Sequence, residues 1–226
     1  MKRVRLIAWN CAGKFRDKYQ LLQSLNPDIC VVQECEVPKA SRHEGYASFS
    51  ANSLWIGERA YKGLGVFARK GIRLTRLDWE THGLRHFLPV RIDDSWDLLA
   101  VWAGKPYIRE YYIFHSVHKD KINKNTVVLG DFNSNRRWDK DGKICSHSAV
   151  VDMMSAAGLV SAWHYIKEEP QGGESVPTFY MHRDQEKPYH IDYTFVSPSR
   201  VLNCYIDDSE AFACSDHRPL IVDIRG

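Results

Sequence analysis

Five apolar runs in this chain each meet a carboxylate, an amide or an imidazole. The first ends in Trp9-Asn10-Cys11-Ala12-Gly13 and the second in Val32-Gln33-Glu34. A third ends in Gly130-Asp131-Phe132-Asn133-Ser134-Asn135, and another opens with His190-Ile191-Asp192-Tyr193. The last follows Cys214-Ser215-Asp216-His217-Arg218-Pro219. Polar groups buried without partners are costly, and convergence on a cation or a phosphate removes that cost. Glu34 and Asp216 offer anionic oxygens and Asn10 a neutral one. Hard oxygen donors without nearby Cys or His pairs favour Mg2+ or Mn2+ over Zn2+. A phosphodiester repels incoming hydroxide, so its hydrolysis gains from charge neutralisation and a positioned nucleophile. His217 sits in the densest polar motif, and a carboxylate beside it would fix its tautomer and support its protonated form. Asp192 is the candidate partner. Asp131 can orient or deprotonate water, with Asn133 donating to a phosphate oxygen.

Taken singly, each residue has an ordinary reading. Asn10 and Gly130-Asp131-Phe132-Asn133 suit turns. Glu34 suits a solvated strand end, Asp192 an ion pair with a nearby base, and Ser215-Asp216-His217 a loop before a strand. The combination is what points to chemistry.

The elements that would carry these residues can be read from periodicity. Residues 4–9 form a β-rich run. Tyr19, Leu21, Leu22 and Leu25 have helical spacing, stopped by Asn26-Pro27-Asp28. Residues 29–32 are almost continuously apolar, as in a strand buried on both faces. Further β-like runs fall at 46–49, 54–56, 65–68, 73–77, 87–92, 97–102 and 126–129. A helix is predicted over 107–122, and a second over 148–157, capped by Ser148 and stopped by Gly158. Strands follow near Leu159 and Thr178 and at 191–196, 201–206 and 220–224. Many strands with few, separated helices predict two packed sheets with helices outside. The polar segment 164–189, rich in Gly, Pro and charge, is predicted to be a functional loop or a disordered one.

The 226 residues, 44% hydrophobic and 26% charged, suit a single domain over 1–226 with a substantial core. A net charge of +3 permits a polyanionic substrate without demanding one. No stretch suits a membrane span. Cysteines at 11, 30, 35, 145, 204 and 214 show no C-x-x-C pairing or regular framework, which points to reduced thiols in a cytoplasmic protein.

The segments IAWNCAG, PDICVVQE, VVLGDFNSN, YHIDYTFVS and CSDHRPLIVDI, in this order and with PTF at 177–179, resemble the endonuclease/exonuclease/phosphatase superfamily. The resemblance implies a four-layered α/β/β/α sandwich. It implies that Asn10 and Glu34 belong to a metal site assisted by Asp216, and that Asp131 and Asn133 act on nucleophile and phosphate. His217 with Asp192 would contact the scissile phosphate. Either Asp131 or His217 would be the general base. Members commonly place Tyr or His at the end of the strand that here reads LLAVWAGKP. Trp102 stands there instead, and Trp can donate one N–H but cannot transfer a proton. His115 and His118, just beyond, are expected on a helix surface.

The resemblance does not choose among DNA, RNA, lipid headgroups and inositol phosphates. The short chain, without a lipid anchor or amphipathic membrane segment and with basic and aromatic loop residues, points to a nuclease-type phosphodiesterase acting on DNA or RNA. A phosphatase of a small phosphorylated molecule is the alternative, and a non-catalytic binding protein of the same fold is a third. Arg136 and Arg137 directly follow GDFNSN, where they can meet a phosphate backbone. Trp138, Tyr180 and Tyr189 can stack on bases or simply pack their loops. Trp102 is a further candidate substrate contact.

Overall fold

A computed structural model describes residues 2–38, 44–208 and 211–226. The chain begins with β1 (Arg3–Asn10), α1 (Tyr19–Ser24), β2 (Ile29–Cys35), α2 (Glu44–Phe49), β3 (Ser53–Arg59) and β4 (Lys62–Ala68). It continues through β5 (Leu74–Arg76), β6 (Phe87–Ile92), β7 (Trp96–Trp102), α3 (Ile108–His118), β8 (Thr126–Asp131) and α4 (His147–Ala156). There follow β9 (Val160–Ser161), α5 (Ala162–Lys167), β10 (Phe179–Tyr180) and β11 (Pro188–Tyr189). The chain closes with β12 (Asp192–Val196), β13 (Val201–Ile206), α6 (Ala211–Cys214) and β14 (Leu220–Arg225).

Two six-stranded mixed sheets result, ordered β13-β14-β1-β2-β4-β3 and β5-β6-β7-β8-β12-β9. Successive side chains of a strand point to opposite faces, and both faces of these sheets are covered. From β1, Leu6 and Ala8 enter the layer between the sheets, with Val31, Leu98, Leu129 and Val222. Ile7 and Trp9 point the other way, onto Leu22 of α1 and Tyr46 of α2. Val128 of β8 and Leu99 of β7 pack under Phe114 of α3 and Met154 of α4. Three apolar layers therefore separate four structural ones, the predicted α/β/β/α sandwich. Double-sided burial explains why residues 29–32 read as a continuous apolar run.

Four expectations need correction. Residues 46–49 lie in helix α2, not a strand. Tyr46 and Phe49, one helical turn apart, both pack on Phe15 at 5.8 and 5.9 Å between ring centroids. Helix α4 is capped by Ser146, whose hydroxyl accepts from the Ala149 N–H, and not by Ser148. The Ser148 N–H and hydroxyl instead donate to Asp139. His115 and His118 are buried, because their face of α3 packs inward. His115 Nδ1 pairs with the Tyr111 hydroxyl at 3.1 Å and His118 Nε2 with the Glu80 carbonyl at 2.8 Å. The segment 164–189 is partly structured, by the end of α5 and by the β10–β11 hairpin. Among the described residues, no helix is long and apolar enough to cross a membrane. Cys11, Cys30, Cys35 and Cys204 are buried thiols outside any disulfide.

Candidate active site

The ends of β1 and β2 in one sheet face the end of β8 and the start of β12 in the other. Asn10 is the last residue of β1. Its Nδ2 donates across the sheets to Asp131 Oδ2 at 3.1 Å and lies 3.5 Å from Glu34 Oε1. Its Oδ1 accepts from the Ala12 N–H at 3.1 Å. Glu34 is aimed by a bulge: pairing between β2 and β4 slips between Gln33 and Cys35, and Glu34 has φ 61°. A non-glycine residue in that region is uncommon and strained, and a bulge is a usual way to re-aim one side chain.

Asp131 closes β8, where Gly130 permits a tight approach. Gly130 has φ +149°, and a Cβ there would lie 2.0 Å from the Val101 carbonyl oxygen. Asp131 Oδ1 accepts from the Asn133 N–H at 2.8 Å, and Oδ2 from Asn133 Nδ2 at 3.1 Å. Asn133, itself at φ 47°, also donates to the Ala103 carbonyl at 3.1 Å.

Asp192 opens β12 opposite Asp131. Its carboxylate Oδ2 lies 2.9 Å from His217 Nδ1. The other imidazole nitrogen, Nε2, is 4.0 Å from Asp131 Oδ2. Asp131, Asp192 and His217 are all buried, with donor atoms within 4.8 Å of one another. Burial favours the neutral imidazole, but the charge and hydrogen bond of Asp192, with Asp131 and Asp216 behind them, outweigh it. The His217 pKa stands at about 9. Burial, then the nearby Asp192 charge, lifts Asp131 to about 7 against the pull of His217 and Asn10. Neighbouring groups divide the charge so that an imidazolium faces a carboxylate.

Several positioning residues carried no chemical signal of their own. The Thr178 hydroxyl accepts from the N–H groups of both Ile191 and Asp192, at 3.0 and 3.1 Å. Phe179 bridges to His217 by backbone and lies 4.6 Å from its ring. Trp9 Nε1 donates to the His217 carbonyl at 3.0 Å. Ser215 Oγ donates to the Asn10 carbonyl at 2.6 Å and accepts from the His217 N–H at 3.1 Å. Thr178 and Phe179 belong to the PTF segment and Ser215 to the SDH motif, so the signal lay in those neighbours. Half-buried Asp216 stands outside the compact trio, and its carbonyl accepts from the Tyr180 N–H at 2.9 Å.

Glu34 and Asn133 line a cleft of about 470 Å3, together with Lys62, Arg85, His86, Trp102 and Lys105. The Glu34 side chain is 25% exposed there, with its Oε2 3.0 Å from Lys62 Nζ. Trp102 pairs in register with Asp131. Arg136, Arg137 and Trp138 do not line this cleft. They form a short 3-10 turn capped by the Asn135 side chain. Arg137 Nε donates to the Gly172 carbonyl at 2.6 Å, and Trp138 packs 4.9 Å from Tyr189.

A sequence search of curated proteins found no match. The model of the endonuclease/exonuclease/phosphatase family matches residues 7–217. Among solved structures, an AP endonuclease from Archaeoglobus fulgidus aligns with a TM-score of 0.75 at 17% identity, over 99% of this chain and 100% of that one. The 3'-5' exonuclease NExo from Neisseria meningitidis aligns at 0.71 and 16%, over 99% and 100%. A 3' phosphatase NExo variant from Neisseria, bound to a product DNA hairpin, aligns at 0.70 and 16%, over 99% and 100%. At these identities the structures show a shared fold, and the family match covers most of the sequence. The chain belongs to the endonuclease/exonuclease/phosphatase family of phosphoester hydrolases.

Proposed function

We propose that this chain is a divalent-metal-dependent phosphodiesterase of the nuclease type. The observation that carries this reading is the gap between His217 Nε2 and Asp131 Oδ2, 4.0 Å wide. The imidazole is backed by Asp192 and the carboxylate is held by two asparagine amides. Such a gap presents a cation to a phosphate oxygen and a carboxylate to a water. Asp131, with both oxygens oriented, is placed to take a proton from the attacking water. His217 is placed to hold the phosphate oxygen on which charge develops, and Asn133 to steady the water or the phosphate.

The donor set fits a hard cation. Glu34 presents a partly exposed carboxylate to the cleft, already met by the Lys62 ammonium. Asn10, whose Nδ2 lies 3.5 Å from Glu34 Oε1, and Asp216 also carry side-chain oxygens, and none of the three residues is a thiolate. Glu34, with Asn10 and Asp216, would hold Mg2+ or Mn2+, which supplies charge neutralisation at the phosphate oxygens. The nucleic-acid preference is supported by the fold neighbours that are an AP endonuclease and an exonuclease, and by the one bound to a DNA hairpin. Arg136, Arg137 and Trp138 follow the Asp131–Asn133 motif and offer charge and an aromatic face that is 40% exposed at Trp138.

The test is a hydrolysis screen over DNA, RNA, bis-p-nitrophenyl phosphate and p-nitrophenyl phosphate. Diester hydrolysis should vanish in EDTA and return with Mg2+ or Mn2+. Full activity in a chelated sample would overturn the metal dependence. Hydrolysis confined to the monoester would replace this reading with that of a phosphatase of small molecules.

A further inference from the structure

The cleft beside Glu34 has a wall that the hydrolytic step does not use. Lys62 comes from β4, Arg85 and His86 from the segment before β6, Trp102 from the end of β7, and Lys105 from the loop before α3. The His86 and Trp102 rings lie 4.3 Å apart between centroids. Lys62 Nζ stands 5.4 Å from the Trp102 ring. Three cations from separate parts of the chain thus gather around one aromatic wall.

The charge around the wall is only partly cancelled, since Lys62 Nζ lies 3.0 Å from Glu34 Oε2. Arg85 pairs with Glu58, but both side chains are more than half exposed, and such pairs bind weakly. Among the described residues, Lys105 takes part in no ion pair. Of the two lining carboxylates, buried Glu110 accepts from the Arg85 N–H at 3.1 Å and so fixes the backbone beneath the wall. Glu34 belongs to the candidate metal site. A positive mouth next to an aromatic surface suits a ligand that carries an anion and a planar ring on one unit. Asn133 lines the same cleft and bonds to Asp131, so such a unit would lie directly beside the phosphate being cleaved.

We propose that this cleft is a nucleotide subsite. Lys62, Arg85 and Lys105 hold the phosphate next to the scissile one, and the Trp102–His86 wall receives its base. The subsite rests on the nuclease reading and names what sets its substrate: a base-bearing oligonucleotide in preference to an isolated phosphodiester. Trp102 then serves in recognition where a proton-transferring side chain is common among relatives.

The experiment uses the full chain in EDTA and fluorescence anisotropy of a labelled single-stranded oligonucleotide. A second probe has the same length and charge but no bases. Replacing Lys62, Arg85 and Lys105 by Gln together should weaken binding to both probes at least tenfold. It should also reduce the slope of log affinity against log salt by about 2. Trp102→Leu should weaken the base-bearing probe about tenfold and the baseless probe far less. Trp102→Phe keeps a stacking ring and should recover most of that loss, which separates recognition from misfolding. With Mg2+, the triple variant should raise KM far more for the oligonucleotide than for bis-p-nitrophenyl phosphate. An unchanged salt slope, or equal losses on both probes in Trp102→Leu, would overturn the subsite. If the wild type still cleaves nucleic acid, the nuclease reading survives that result. A wild type that neither binds nor cleaves any nucleic acid would sink both.

Discussion

Replacing Asp192 by Asn keeps the size of the side chain and removes a charge 2.9 Å from His217 Nδ1. In the wild type, burial opposes the imidazolium, yet the pKa rises from an ordinary 6.5 to about 9. That gap corresponds to about 3 kcal/mol in favour of the charged ring. The Asp192 charge and its hydrogen bond are the leading raising influences, and the next carboxylate, Asp131, is 4.0 Å away. Without Asp192, burial should prevail and bring His217 below 6.5. Above that pH the ring would then be neutral, with no positive charge for a phosphate oxygen. The rate should fall by about 10² or more at pH 7.5. A stability signature follows as well. The folded pKa lies above the unfolded one, so the pair stabilises fully below about pH 6.5, and that contribution is lost as pH rises through about 9. The variant should lack this alkaline decline. The assay is an NMR titration of the His217 ring in chelated protein, alongside kcat/KM with Mg2+. A midpoint still near 9 together with a wild-type rate would refute the pairing.

Four further outcomes are expected. Glu34→Gln should weaken Mn2+ binding at least tenfold by calorimetry, and equal affinity would remove Glu34 from the metal site. Burial holds His115 and His190 at about 4, below their ordinary 6.5. Their contribution, on the order of 3 kcal/mol each, is therefore present above pH 6.5 and lost as pH falls through 4. Urea midpoints should drop between pH 7 and 4, less so in His115→Leu, and a flat profile would contradict this. Gly130→Ala forces a Cβ against the Val101 carbonyl and should cost about 3 kcal/mol or more; an unchanged urea midpoint would show that the sheet yields there. Arg136→Gln with Arg137→Gln should weaken oligonucleotide binding and lower its salt slope by about 1 to 2, and unchanged binding would favour the small-molecule phosphatase.

The candidate site residues were legible because each adjoins a strand whose two faces are buried. A carboxylate after Val-Val-Leu-Gly or an imidazole before Leu-Ile-Val stands out against such a run. The bounds of β6 were legible for the same reason. Helix α2 was not, since six residues with aromatics at positions 46 and 49 leave too little sequence to separate a helical turn from a strand. His115 and His118 misled because an imidazole looks like a surface residue until its ring nitrogens find a hydroxyl and a carbonyl. The cleft wall was beyond reach altogether. Lys62, Arg85, His86 and Lys105 meet only after two sheets have stacked, and none sits in a local pattern. Nor could the sequence reveal that Glu34 is turned by a bulge.

The first sheet is closed by pairing between distant parts of the chain. β1 runs antiparallel to β14 from Arg3 against Arg225 to Ala8 against Leu220, while residues 74–196 build the second sheet. During synthesis β1 to β4 leave the ribosome before the strands of the second sheet, but the β1 edge that will receive β14 stays open until Leu220–Arg225 has emerged. His217 arrives just ahead of that strand. A nascent chain therefore displays Asn10, Glu34 and Asp131 without the imidazole that faces them, and the candidate site is complete only once His217 and β14 have emerged. The open β1 edge, carrying Leu6, Ile7 and Ala8, is the surface that a chaperone would have to shield in the interval.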